Sequence, residues 1–467
     1  MSGAGRVFVT CWLVYTLFWA PYIVREHFPA LALLERGSLN VEAYLGWSED
    51  IFRGPNGGAY INNNPGASLV GAIPLVLLRP LLVRIDAWNQ RRPPAASSAF
   101  DEATLSRMVT ARREIYFLTI AFITVALTMA PATAFTAAYL CSRLESAGVG
   151  QRAAAQAAIL YGLGTPVFYR AAYLNHNLLV SDAGITALLL LWRPDRAPLG
   201  SARSFAAGLL AGLAVLCDYS GVVVLAVAVL YTLLRAWAKA PVLAFAAGAA
   251  LMLVALLVYQ QWAFGSFYHP SQHFMMPTAP TSQGYRGLDW PSARLAWANF
   301  FDPRFGLFAY CPPLLLAFAA PFVRNVRLRI PRLEMSILFG YFGLFVVFCA
   351  ANQYSWLQPL TGFRYLVPVV PALVILTFQT CQVLPTWTKW VLAMLTLAQS
   401  FIMALGHENN LRDSLRDVLA SGFEPTWMVR MAALGMRVTW VWTVVFYGLL
   451  AVTVAWAARK TPAEAVH

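Results

Sequence analysis

Charge is scarce in this chain. Asp, Glu, Lys and Arg make up 12% of its 467 residues and hydrophobic residues 59%, whereas an ordinary soluble domain carries roughly 25% charge. That balance excludes a water-soluble protein. Lysine is nearly missing: Lys239, Lys389 and Lys460 are the whole supply, so arginine carries most of the net charge of +13. Arginines in short loops between apolar runs are explained by orientation in a membrane, and they give no reason to expect a nucleic-acid partner. The six cysteines, Cys11, Cys141, Cys217, Cys311, Cys349 and Cys381, lie within or beside apolar runs without metal-type spacing, which marks them as packing residues. A Walker loop, a Rossmann glycine set, a zinc-type His-Glu pair and a Gly-x-Ser-x-Gly elbow are all lacking, so soluble nucleotide chemistry has no visible support.

What the chain does have is apolar runs near bilayer length, recurring from residue 7 to residue 457 with no polar block long enough for a soluble domain. The expected fold is all-α: residues 1–467 form a single membrane domain, a polytopic transmembrane helix bundle. The first run, Val7 to Val24, is longer than a signal-peptide core and lacks a small-residue cleavage site, so it reads as a retained helix. Twelve crossings are predicted, at about 7–24, 115–141, 152–169, 178–192, 204–217, 219–234, 241–264, 305–323, 334–351, 364–380, 388–405 and 438–457. A thirteenth run, 67–83, contains Pro74, Arg79 and Pro80 and is short. It is taken as a juxtamembrane or re-entrant segment.

Charge supports that choice. With both termini inside, the cytoplasmic face holds 15 of the 34 basic and four of the 21 acidic residues, a net of +11, and leaves +2 for the outer face, as the positive-inside rule requires. If the thirteenth run crossed, the basic stretch Arg324 to Arg332 would face outward. The arginines at 91, 92, 107, 112 and 113 pull the other way. The assignment also sorts residues not used to make it: His27, His176, His269, His273 and His407 all fall outside. The outer connections are 25–114, 170–177, a turn at Asp218, 265–304, 352–363 and 406–437, and a site is expected on this face.

Its candidates follow from residue type and position. Glu26 stands just beyond the first run, and Glu35, Glu42, Glu49 and Asp50 follow in the same loop. A carboxylate at a membrane boundary can serve as general base toward a hydroxyl, and Glu26 and Asp50 are the better placed, while Glu35 and Glu49 read as solvated loop acids. Asn62-Asn63-Asn64-Pro65-Gly66 is a turn by composition whose amides can also cradle an anion. His176, with Arg170 before it, sits in a connection too short to leave the bundle. Asp218 interrupts two apolar runs and is either a functional acid at membrane depth or a helix cap. His269 belongs to an aromatic and Met-rich loop that either holds a lipid chain or lines the interface. Arg364 begins a span from outside, where it either grips phosphate oxygens or snorkels to headgroups.

Taken in order, these segments resemble the GT-C superfamily of membrane glycosyltransferases, in the branch of protein O-mannosyltransferases and lipid A aminoarabinose transferases. The likeness is carried by Arg25-Glu26, by Glu42 and Asp50, and by Tyr60-Ile61-Asn62-Asn63-Asn64-Pro65-Gly66. It continues in Phe264-Gly265-Ser266, Gly306-Leu307-Phe308-Ala309-Tyr310-Cys311-Pro312 and Gly362-Phe363-Arg364-Tyr365-Leu366-Val367-Pro368. The resemblance implies transfer of a sugar from a polyprenyl-phosphate donor to a lipid, glycan or protein acceptor, on the outer (periplasmic) face of the inner, plasma membrane. It implies juxtamembrane helices in the loop 25–114, Glu26 and Asp50 as catalytic carboxylates, and Arg364 as a phosphate ligand. Where relatives place a lysine near the carrier phosphate, this chain has Asn63 or Asn64. Neutralising the phosphate then falls to arginine, to histidine or to a divalent metal. A transporter or lipid flippase is the rival class, but it favours related halves and broken helices meeting at the midplane, and no internal repeat is seen.

The topology is open to a direct test with introduced single cysteines. Residues 25–114 should label from outside as one unit, and labelling of 91–107 only from the cytoplasm would overturn the assignment.

Overall fold

The computed structural model describes residues 1–92, 103–193, 197–236, 238–277, 279, 282–324, 326–355, 364–408 and 410–458. Thr361-Gly362-Phe363 and Lys460 lie outside these. Among the described residues the regular structure is all-helical apart from one short hairpin.

The first apolar run is helical only over α1 (Gly3–Leu17), not to residue 24 as expected. Pro21 explains the correction, because its ring would clash with the carbonyl four residues back, at position 17, and it has no N–H to give. Residues 18–24 continue as buried, non-helical chain tied to the bundle by the Ala20 N–H, which donates to the Ala172 carbonyl at 2.7 Å. A turn at 24–27 then opens α2 (His27–Arg36).

Strands β1 (Ile51–Arg53) and β2 (Ala59–Ile61) pair antiparallel with Ile51 opposite Ile61, and the Asn62 N–H extends the ladder to the Asp50 carbonyl. The run 67–83 is not one straight helix. It is α3 (Gly66–Leu77) and α4 (Arg79–Arg91), meeting at 83°. Pro80 cannot continue α3, and at 12 and 13 residues each arm reaches only about 18–20 Å, short of a hydrocarbon core of about 30 Å. After α5 (Ala103–Thr110), the Arg113 guanidinium donates to Glu35 at 2.6 Å and to Asp86 at 2.9 Å, and the Asn89 amide donates to Glu114 at 3.0 Å. Glu35, expected to be solvated, therefore ties the end of this loop to its beginning.

The bundle proper starts with α6 (Glu114–Thr124) and α7 (Ala130–Ser146), joined by a π turn at Val125–Met129 whose Ala126 carbonyl accepts from the Trp12 indole at 2.7 Å. There follow α8 (Gln151–Leu163), the single turn α9 (Val167–Arg170), α10 (His176–Leu191), α11 (Ser201–Cys217), α12 (Gly221–Arg235) and α13 (Lys239–Phe264). Next come α14 (Ala293–Phe301) and α15 (Leu307–Tyr310), then a 3₁₀ stretch at Pro312–Phe322 with prolines at both ends. The chain closes with α16 (Arg332–Ala351), α17 (Val370–Cys381), α18 (Thr386–Gly406), α19 (Leu411–Ser421), α20 (Thr426–Ala433) and α21 (Trp440–Ala458). Among the described residues, five helical stretches are long and apolar enough to cross a membrane: Glu114–Ser146, Lys239–Phe264, Arg332–Ala351, Thr386–Gly406 and Trp440–Ala457. The bent pair α3–α4 makes a sixth if it counts as one span; six of the other seven expected crossings hold shorter apolar helices, and the seventh, 152–169, is α8 followed by the single turn α9.

Close packing depends on small side chains where helices cross, since lipid gives no hydrophobic drive between helices. At the α11–α13 crossing, a Cβ on Gly208 would stand 2.0 Å from the Phe245 carbonyl oxygen, and one on Gly248 would stand 2.2 Å from that of Phe205. Only glycine permits this backbone-to-backbone contact. Gly208→Val should therefore push the two helices apart and destabilise the protein by about 1–3 kcal/mol, read as a lower thermal midpoint in detergent than for Gly200→Ala, where a Cβ meets nothing within 4 Å.

Candidate active site

The chain ends its helices so that the connections after α1, α9 and α11, the Asn62–Asn64 turn and the segment before α17 meet at one end of the bundle. Each brings a polar side chain. Asn175 caps α10, accepting from the Asn177 and Leu178 N–H groups at 3.0 and 3.3 Å, and this fixes His176 as the first helical residue. The turn holding Asn62–Asn64 is pinned against α11: the Asn64 amide donates to the Val215 carbonyl at 2.7 Å, and a Cβ on Gly66 would lie 2.6 Å from the Leu216 carbonyl.

Glu26 lies at the centre, 3% exposed. Its Oε1 accepts from the Asn63 amide at 2.9 Å and from Arg25 Nε at 3.2 Å, and it contacts His176 Nδ1 at 2.5 Å. Burial raises the Glu26 carboxyl, but the His176 imidazole and the Arg25 guanidinium outweigh it and hold the group well below the usual carboxylate range. Arg25 also reaches Asp50 Oδ1 at 3.2 Å and Asn62 Oδ1 at 2.9 Å, and the Asn62 amide donates to the same Asp50 oxygen at 2.6 Å. The hairpin register sets Asp50 beside Asn62, so β1 and β2 are what deliver this carboxylate. On the far side, His176 Nε2 faces Asp218 Oδ2 at 3.8 Å, while Asp218 Oδ1 accepts from the Ser220 N–H at 2.8 Å. Asp218 thus shapes the turn into α12 and presents its second oxygen to the site.

Arg364 and Arg170 complete the arrangement. Arg364 lies over the Tyr365 ring at 4.6 Å, and its buried Nε has no hydrogen-bond partner among the described residues. Buried Arg170 lies over Tyr173 at 5.4 Å. Burial lowers the Arg170 guanidinium from its ordinary value, and the like charge of Arg364 adds to the effect, while Tyr173 and Glu26 oppose it. Tyr365 lies within the fields of Arg364, Asp218 and Arg25.

The structure therefore brings Glu26, Asp50, His176, Asp218, Arg170 and Arg364 to one place. It does not bring the other three predicted residues there. Glu42 pairs with Arg53 at 2.8 Å, Asn64 spends its amide on the backbone of α11, and His269 stacks on His273 with ring centres 4.0 Å apart. Sequence reasoning had not given a role to Arg25 or Tyr365, and it had read Asn62 and Asn63 as part of an anion-cradling turn, not as partners of Asp50 and Glu26. The run of three asparagines signalled the turn, but which amide faces inward is decided by the turn's seat on α11. Among the described residues, no three His, Cys, Asp or Glu side chains converge as a metal-binding group.

Comparison with protein-family profiles, with curated proteins and with solved structures finds no match.

His27, next to the centre, is buried with both ring nitrogens engaged. Nδ1 accepts from the Val24 N–H at 3.1 Å, and Nε2 faces the Thr124 hydroxyl at 3.0 Å. Burial pulls its imidazole down from 6.5 to about 4. The folded protein keeps His27 neutral across that interval, whereas the unfolded chain takes up a proton, so stability is full above pH 6.5 and falls as the pH is lowered toward 4. The fall is on the order of 3 kcal/mol from this group. Thermal midpoints measured across the interval should show it, and His27→Gln should remove that part of the slope.

Proposed function

We propose that this chain is a membrane glycosyltransferase that moves a sugar from a polyprenyl-phosphate-linked donor to an acceptor at the outer face of the plasma membrane, as its sequence resemblance implies. The observation that carries the reading is the pair of buried Arg170 and half-buried Arg364, whose charges bear on each other, with Glu26 within range of Arg170 and with Arg364 and Asp218 both within range of Tyr365. Two guanidinium groups so placed can hold an anion between them. A phosphodiester whose bridging bond breaks during reaction is such an anion, and its charge grows in the transition state, where fixed donors in a partly dehydrated site act most strongly.

The other half of the arrangement suits the sugar. As the bond to phosphate lengthens, the anomeric carbon takes on positive charge, and Glu26, held ionised, with Asp50 beside it, supplies a compensating field. Arg25 and the Asn62 and Asn63 amides keep those carboxylates in place. Of the two residues that could stand where the relatives' lysine is expected, Asn63 serves Glu26 and Asn64 serves the Val215 carbonyl, so the phosphate role passes to Arg364 and Arg170.

The membrane placement belongs to the same proposal. Twelve crossings with both termini inside, and α3–α4 lying outside as juxtamembrane helices, fit the way the connections expected outside gather at one end. Arg143, Arg193 and Arg235 engage one another's segments elsewhere, through the Trp192 and Arg193 carbonyls. The Arg113–Glu35 pair fits the placement of 25–114 on one side and answers part of the objection raised by its arginines.

Purified protein in nanodiscs, given polyprenyl-phosphate-linked hexose or pentose, should release lipid phosphate and form a glycoside. Arg364→Lys keeps the charge but loses the planar two-point grip. It should weaken donor use substantially, and Arg364→Ala should weaken it more, with the acceptor's apparent affinity little changed. If Lys substitutes freely, as a snorkelling side chain would allow, Arg364 is not a phosphate ligand.

A further inference from the structure

We infer that the acceptor's proton is taken by Nε2 of His176, and that Glu26 is the positioning residue that sets this imidazole's tautomer and orientation. The inference rests on the transferase reading of the site and replaces the expectation that Glu26 is itself the base.

Glu26 is poorly suited to that task. The residue is buried, and its Oε1 already receives Asn63, Arg25 and His176. A carboxylate so held is a weak base with little room for a hydroxyl. Its charge does have a second consequence. An ionised Oε1 at 2.5 Å requires a proton on the facing nitrogen, so Nδ1 of His176 carries hydrogen. The Asn63 amide nitrogen donates to the same oxygen at 2.9 Å and lies 3.0 Å from His176 Nδ1; with hydrogen on Nδ1, both donors point to Glu26 Oε1 and not to each other. In the neutral ring the lone pair is then on Nε2.

That atom is where the structure leaves hydrogen-bonding capacity unused. Nε2 is buried and has no hydrogen-bond partner among the described residues. Asp218 Oδ2, at 3.8 Å, is too far for a bond and is held there because the other oxygen is tied to the Ser220 N–H. His27 shows the contrast: it is equally buried, but both its nitrogens are engaged. Of the two, only His176 has a free edge, and that edge faces a carboxylate.

The step balances. The acceptor oxygen bonds to the anomeric carbon, and the bond from that carbon to the phosphate oxygen breaks, its electron pair staying with the phosphate opposite Arg364 and Arg170. The hydroxyl proton goes to Nε2. The resulting imidazolium lies between Glu26 and Asp218, which stabilise its charge. The proton then passes to water or to the released phosphate, restoring the neutral ring. This divides labour as a buried acid, an imidazole and a hydroxyl do in nucleophilic triads.

The groups facing His176 are Glu26 and Arg25 from the first connection, Asn63 from the turn, Asp218 from the α11–α12 turn, and beyond them Asp50, Arg170, Arg364 and Tyr365. Two measurements test the assignment. In nanodiscs, nitrogen-15 spectra of histidine-labelled protein, with His176→Gln to assign the signal, should show neutral His176 protonated at Nδ1. In the transfer assay, His176→Gln should lower turnover by about a hundredfold or more with the donor KM little changed, and should abolish the fall in rate on acidification that protonation of the base produces. Glu26→Gln should lower turnover but keep that fall at a shifted pH, and the double variant should be no worse than His176→Gln alone, as for residues acting as a unit.

An Nε2-protonated ring in an active enzyme, or a His176→Gln variant that keeps the wild-type pH dependence, overturns the assignment to His176 and leaves the transferase reading standing. A wild-type protein that shows the expected tautomer but releases no lipid phosphate from any donor overturns the transferase reading, and the base falls with it.

Discussion

A buried, ionised carboxylate can persist only if enough donors are delivered to it, and one end of this helix bundle is organised around meeting that condition for Glu26. Its donors come from the adjacent residue Arg25, from Asn63 in a turn 37 residues on, and from His176, 150 residues on. None of these arrives alone. Asn63 depends on Gly66 fitting against α11, His176 on the Asn175 cap, and Arg25 on the hairpin that presents Asp50 and Asn62. Removing any one support would leave charge uncompensated at low dielectric, where the cost of an unpaired ion is several kcal/mol.

The helices below this end set its position more than its chemistry. Glycines at the α11–α13 crossing let backbones touch, so the end of α11, and with it Asp218, is held at a fixed height against its neighbours. Prolines do the complementary work. Pro21 and Pro166 stop helices just where the chain must turn inward, and Pro80 deflects the run after Gly66 by 83°. An apolar bundle built of unbroken helices would present only helix ends there. Here the non-helical residues 18–24 and the single turn α9 are buried polar-backbone segments, tolerated because Ala20 and Ala172 bond to each other.

Arginine partition links the fold to the proposed chemistry. Arg170 and Arg364 lie together at the end where the acids gather, while Arg143 and Arg235 bond to carbonyls at the end of α10 and just beyond it. With lysine so rare, nearly every positive charge is a planar group able to bond several acceptors at once. That suits both uses: satisfying carbonyls where helices end, and facing an anion where acids and an imidazole are already in place.

The all-helical class, the membrane-length apolar runs and the break in 67–83 were legible in the sequence because hydropathy and proline act locally. The helix stop at Leu17 was legible too, in Pro21, but the apolar run concealed it. Of the site, Glu26, Asp50, His176, Asp218, Arg170 and Arg364 were identifiable as ionisable or polar groups at the ends of apolar runs, where such residues are costly. Which of them meet was not. The turn of three asparagines looks the same whether Asn63 or Asn64 faces Glu26, and its seat on α11 decides it. Glu42 and His269 had the right residue type and the expected side of the membrane, but Arg53 and His273 engage them elsewhere. Composition fixes what is buried in lipid and which groups are expensive to bury. The contacts that turn those groups into a site span 150 residues of chain and more, and only the packing of the helices brings them together.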